Sequence, residues 1–226
     1  TLAEAQIDPA RIATLYGARQ EERRFVRVAD VPPLLLGTLQ AVEDRDFKHH
    51  HGVDPWAILR AAFANLSAGE VVQGGSTLTQ QLVRNLFLDR SQTWRRKFNE
   101  AAIALLVEAR FDKRAILEAY LNEVYLGQQG GQAVHGVAAA CQFWFGHELA
   151  GASAAEIALL VGLIQGPSYY DPRRFPQRAR QRRDLVLGVL PDTGLITAAD
   201  RALAQRQPLG VTGAGALPRN RYPAFL

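Results

Sequence analysis

Residues 32–52 read PPLLLGTLQAVEDRDFKHHHG. Two prolines stand where a helix opens, and the apolar run that follows has helical length, so a helix is predicted over 34–47 with Glu43 near its C-terminal end. Glu43 and Phe47 then lie one turn apart on one face. Directly after the apolar run, Glu43, Asp44, Arg45, Asp46, Lys48 and His49-His50-His51 crowd acids, bases and imidazoles into ten residues. A solvated helix end is the ordinary reading of such a cluster. A site is the alternative, because perturbed titratable groups gather where chemistry is done.

The rest of the chain continues the helical pattern. Asp54-Pro55 is an N-cap and first-turn pair for a second helix, which carries Ile58, Leu59, Ala62 and Phe63 to a stop near Gly69. Gly74-Gly75-Ser76-Thr77 is a loop ending in a cap, and 78–88 follows as helix. There Thr77, Gln81 and Arg84 form a polar stripe and Leu78, Leu82 and Leu86 an apolar one. The longest helical pattern, 93–111, opens with Arg95-Arg96-Lys97, basic residues that oppose the helix dipole and so are not there for local stability. Glu100 sits just beyond them, before an apolar run that desolvates it, with Arg96 one turn back to hold it charged.

Asp112 caps a further helix on which Lys113, Leu117 and Tyr120 share a face, and 127–131 reads as a glycine and glutamine loop. Helices follow at 136–145, at 154–165 behind the capping box Ser153–Glu156, at 176–190 with many arginines, and at 198–205 behind Thr197. Residues 24–28 alternate as a strand does, and the glycines and prolines of 210–226 read as a linker. The fold class is therefore all-α.

With 226 residues, 48% hydrophobic and 21% charged, the composition is that of an ordinary globular chain. Net charge is +4, and of 26 basic residues only Lys48, Lys97 and Lys113 are lysine. Arginine forks suit phosphates, which points to a diphosphate substrate, anionic lipid or nucleic acid. A single cysteine, Cys141, excludes an internal disulfide. No apolar run reaches the roughly 18–20 residues of a membrane span. Three consecutive histidines cannot share one metal as helix-spaced ligands do, which argues against zinc.

Set in order, these residues resemble the peptidoglycan glycosyltransferase domain, glycosyltransferase family 51, of bifunctional class A penicillin-binding proteins of the 1b type and of monofunctional transglycosylases. E-D-x-x-F-x-x-H-x-G is met by Glu43, Asp44, Phe47, His50 and Gly52, and G-x-S-T-x-x-Q-Q by Gly74, Ser76, Thr77, Gln80 and Gln81. R-K-x-x-E is met by Arg96, Lys97 and Glu100. Lys113, Leu117, Tyr120 and Asn122 fit the fourth motif, and Arg182, Val186 and Leu187 the fifth. Arginine stands at position 84, where relatives also carry lysine.

The resemblance implies a lysozyme-like helical domain with a smaller membrane-contacting lobe, acting outside the cytoplasmic membrane, on its outer leaflet. Its substrates would be lipid II and the growing glycan strand, with phosphoglycolipids such as moenomycin as inhibitors and no nucleic-acid partner. Glu43 and Glu100 are the implied catalytic residues. Asp44, Phe47, His50, Ser76, Thr77, Gln80, Gln81, Arg84, Asn85, Arg96, Lys97 and Lys113 are the implied substrate contacts. A divalent cation, Mg²⁺ or Mn²⁺, could assist at the diphosphate, with Glu100 as its ligand or as the group that orients the arginines.

Such a reaction joins a sugar hydroxyl to an anomeric carbon with inversion and expels a polyprenyl diphosphate. The hydroxyl needs a base, Glu43, and the departing diphosphate needs cations. The resemblance also divides the chain into a lead-in at 1–30, a glycosyltransferase domain at 31–200 and a linker at 201–226 towards a transpeptidase domain. S-x-x-K and K-T-G, the signatures of penicillin-binding chemistry, do not occur. The competing readings are a lytic transglycosylase or muramidase and a non-catalytic basic helical module that binds anionic lipid or nucleic acid.

Overall fold

The computed structural model describes residues 21–69, 74–87, 93–129 and 132–213. Its centre is a helix apolar on every side. That helix, α7 (Ala154–Ile164), opens at the capping box of Ser153 and Glu156 and buries Ile157, Leu159, Leu160, Val161 and Leu163. A helix without a polar face can only be an interior one. Around it lie α1 (Pro33–Glu43), α6 (Val137–Phe145), α8 (Pro176–Val189) and α9 (Ala198–Arg206).

A second group comprises α2 (Pro55–Ala68), α3 (Leu78–Phe87), α4 (Trp94–Arg110) and α5 (Lys113–Glu123), in which α3 packs on both α4 and α5. Here apolar side chains face outward. Trp56, Leu59, Phe63 and Leu66 of α2, Phe87 of α3, and Trp94, Phe98 and Leu106 of α4 are all exposed. Trp56, Leu59 and Phe63 are spaced along one helix face, so α2 is amphipathic with its apolar side uncovered.

Three expectations change. A small sheet of order β1-β3-β2 is present, formed by β1 (Glu21–Arg23), β2 (Tyr125–Gln129) and β3 (Gln132–His135). Residues 127–129 of the predicted loop are thus strand, paired antiparallel with β3, 130–131 lie outside the described residues, and the strand expected at 24–28 ends at Arg23. Residues 24–27 are tied to side chains instead: Asn122 Oδ1 accepts from the Val26 amide at 2.8 Å and its Nδ2 donates to the Val26 carbonyl at 2.8 Å. The boundary at 200 falls inside α9, and 207–213 is docked, with Leu209 buried and the Thr212 amide donating to Trp144 O at 2.7 Å. The rest of the lead-in, 1–20, and of the tail, 214–226, lies outside the described residues.

Gly52 shows why the first motif ends in glycine. Its φ is +93°, and a Cβ there would stand 2.7 Å from the carbonyl oxygen of Ala104 on α4. Backbone strain and overlap act together, so Gly52→Ala should cost about 2 kcal/mol or more. Thermal unfolding of that variant beside a control alanine on the surface measures it.

Candidate active site

The site is organised by the junction of α1 and α3. Helix α1 ends at Glu43, and the next residue, Asp44, turns its carboxylate onto the open end of α3, where Oδ2 accepts from the Leu78 amide at 2.9 Å. An anion at a helix N-terminus satisfies a free donor and complements the dipole. Thr77 and Gln80 complete that end: Thr77 Oγ1 accepts from the Gln80 amide and Gln80 Oε1 from the Thr77 amide, both at 3.1 Å. This is a reciprocal capping box. Thr77 Oγ1 also donates to Gly52 O at 2.6 Å, closing the loop after α1.

His50 braces Asp44. Its Nδ1 accepts from the Gly52 amide at 3.2 Å, which places the ring proton on Nε2, 2.9 Å from Asp44 Oδ2. Lys113 reaches Glu108 at 2.7 Å and lies 4.5 Å over the Phe47 ring, while Thr79 donates to Glu108 at 2.6 Å. The side chains of Asp44, Phe47, His50, Thr77 and Gln80 are therefore buried and committed to protein partners. All five help to fix where α1 ends relative to α3. Lys113 is half-buried with its charge turned to Glu108.

One turn along α3, Gln81 Nε2 donates to Glu43 Oε2 at 2.9 Å, and Tyr120 of α5 donates to Gln81 Oε1 at 2.9 Å. Burial raises the Glu43 pKa above the ordinary carboxylate value, assisted by the charge of Asp44. The Gln81 hydrogen bond and the charges of Arg182 and Arg84 pull the other way without cancelling it. Arg84 and Asn85 are exposed on the following turn.

The other end of the same segment meets the cations. Lys97 donates to Ser76 Oγ at 2.7 Å and to Glu100 Oε1, and Arg96 donates to Glu100 Oε2 at 2.8 Å. Glu100 is fully buried with both oxygens held. Glu100 thus holds two cations, and one of them, Lys97, also reaches Ser76. A divalent ion would have to displace Arg96 or Lys97 from Glu100, and among the described residues no three His, Cys, Asp or Glu side chains group around a common point. The donors here do not fit a metal site.

Arg182, absent from the residues first assigned to the site, belongs in it. It crosses α7 where Gly162 makes room: a Cβ on that glycine would lie 3.0 Å from Arg182 Cγ, and Arg182 Nε donates to Gly162 O at 3.4 Å. The signals were the fifth motif and a glycine inside an apolar helix. Its neighbour Arg183 is fully buried and donates to the carbonyls of Gln205 and Gln207 at the end of α9.

A helical body wrapped on one apolar helix, with a carboxylate at the end of another helix and cations beside it, is consistent with the lysozyme-like class of domains that the resemblance implies. The sequence model of the Transglycosylase family matches residues 8–190, and the chain belongs to that family. It is 47% identical over its whole length to penicillin-binding protein 1B of Haemophilus influenzae, of which it spans 29%. It is 45% identical over 99% of its length to the 1B protein of Vibrio cholerae, spanning 29% of that chain. With the 1B protein of Escherichia coli identity is 43% over 98%, spanning 26%. The chain thus covers less than a third of these relatives. The crystal structure of penicillin-binding protein 1A from Haemophilus influenzae shares the fold at a TM-score of 0.50 and 21% identity, over 85% of this chain and 19% of that one.

Glu100→Gln removes the charge between Arg96 and Lys97. Because Glu100 is buried and Lys97 can turn to solvent, the loss of stability should be about 3 kcal/mol, at the low end for breaking a buried pair. Denaturant unfolding measures it.

Proposed function

We propose that the protein is a peptidoglycan glycosyltransferase that polymerises lipid II into glycan strands, inverting the muramic acid C1 and releasing polyprenyl diphosphate. The observation that carries this reading is the single segment 76–81, which touches a raised-pKa carboxylate at one end and the Lys97 cation at the other. Glu43 is the general base: with one oxygen held by Gln81, the other is left to take the proton of the attacking sugar hydroxyl. Desolvation makes it a stronger base than an exposed glutamate, and Arg84 and Arg182 keep it ionised.

Lys97 and Arg96 receive the charge that develops on the departing diphosphate, and Glu100 aims them. Glu100 is thereby a positioning residue for the cations. No step requires it to move a proton, since diphosphate is a good leaving group in its own right. Arg84 and Asn85 are exposed on the next turn of α3, past Gln81, from where the Arg84 charge acts on Glu43.

The uncovered apolar residues of α2, α3 and α4 form the membrane-contacting lobe and rest on the outer leaflet that presents the lipid substrate. Among the described residues no helix is long and apolar enough to cross a bilayer; an apolar helix face such as that of α2 lies along a membrane surface. It also explains why Trp94, 92% exposed, and Leu66, 83% exposed, remain in water in the isolated chain.

Incubation with labelled lipid II should yield polymer, and Glu43→Gln should lower the rate roughly 10²- to 10⁴-fold. Cleavage of finished glycan without polymer would show the lytic reading to be right, and salt-sensitive binding without turnover the basic-module one. Because the base acts when ionised and its pKa is raised, the rate should fall on the acid side at a pH above the ordinary glutamate range; a pH–rate profile checks this. Trp56→Glu with Phe63→Glu should weaken flotation with liposomes about tenfold or more, given the apolar area lost. Unchanged flotation would remove α2 from the membrane contact.

A further inference from the structure

The Gln81 amide stands between two groups that want different atoms from it. Its nitrogen faces Glu43 Oε2 and its oxygen receives the Tyr120 hydroxyl, each at 2.9 Å. A side-chain amide turned by half a rotation keeps its shape but exchanges donor for acceptor. Turned round, Gln81 would present a carbonyl oxygen to Glu43, an arrangement that only the protonated acid tolerates.

Tyr120 decides between the two. Its ring is fully buried, planted by α5 among core residues such as Leu117 and Leu121, and its hydroxyl proton is donated to Gln81 Oε1. Rotating the amide would take that acceptor away and leave a buried hydroxyl proton without it. The phenol does not escape by ionising: burial first, and then the charge of Glu43, push its pKa well above the ordinary tyrosine value.

We propose that Tyr120 is a positioning residue for the general base. It locks the Gln81 amide with nitrogen towards Glu43, which favours the ionised carboxylate and assigns the second oxygen to the incoming hydroxyl. The proposal rests on Glu43 being the base of the glycosyl transfer. It distinguishes Tyr120 from its motif neighbour Asn122, whose three hydrogen bonds hold the Val26 segment and its own helix and do not approach Glu43.

The test is the pH–rate profile of lipid II polymerisation for the unaltered protein, Glu43→Gln, Tyr120→Phe, Gln81→Leu and the Tyr120→Phe/Gln81→Leu double variant. Tyr120→Phe keeps the ring and removes only the donor, so its acid limb should move up by about one pH unit, a tenfold loss that shrinks as pH rises. Gln81→Leu should move the limb likewise, and the double variant no further than Gln81→Leu alone, because Tyr120 acts through the amide. Activity retained by Glu43→Gln would overturn the general-base reading itself. With Glu43→Gln inactive, an unmoved limb in Tyr120→Phe, or shifts that add in the double variant, would overturn the lock. Should Tyr120→Phe fail to fold, 3-fluorotyrosine at position 120, a stronger donor, must move the limb down, and an unmoved limb overturns the proposal equally.

Discussion

The carboxylate of Asp44 is the contact on which the site depends. It joins the last turn of α1 to the first turn of α3 through the Leu78 amide, at the one helix terminus where an anion is most welcome. A charge-assisted bond of this kind contributes about 1.5–3 kcal/mol, and His50 keeps the carboxylate from rotating away. Everything nearer to chemistry inherits this joint. Glu43 precedes Asp44 by one residue and Gln81 follows Leu78 by three, so their 2.9 Å contact is set by backbone geometry that neither side chain controls.

Charge and apolar surface are kept apart in consequence. The interior α7 and its neighbours absorb most of the large apolar side chains described after residue 113. The α2 to α4 group does the reverse, with tryptophan and phenylalanine outside and the buried Glu100 held by the partly exposed Arg96 and Lys97 within. A domain that needed only water-solubility would gain by exchanging these positions. The inversion suits the membrane contact and the leaving-group side proposed above.

Helices were legible in the sequence because their caps are explicit: Asp54, Thr93, Asp112, Ser153 and Thr197 each accept a backbone amide at the start of the helix expected there. Glu43 and the cation cluster were legible because acids beside apolar runs and bases at a helix N-terminus run against local stability. The division of labour among the remaining motif residues was not. Thr77 and Gln80 are equally good sugar donors and helix caps, and their capping of α3 shows only once the chain is folded. Phe47 suits a substrate wall or a core, and the fold places it inside. The hairpin of β2 and β3 was hidden because glycine and glutamine carry little strand preference and β1, its parallel neighbour on β3, lies about a hundred residues away. Arg182 was lost in a run of arginines whose separate fates, Arg183 buried and Arg180 exposed, depend on helix phase against α7 and α9.

The two ends of the described chain are fastened to the same short helix. On the incoming side Arg24 grips Gln142 at 3.1 Å and Glu148 at 2.8 Å; on the outgoing side Thr212 is bonded to Trp144, and Arg173 lies 4.4 Å from the Phe143 ring while donating to Thr212 O at 2.8 Å. Tension applied through residues before 21 and after 213 therefore enters and leaves through α6 and its flanks. The load path is a short circuit across one edge of the body, and the joint between α1 and α3 lies off it. Pulling on the chain would thus load these anchors before the joint that sets Glu43 against Gln81.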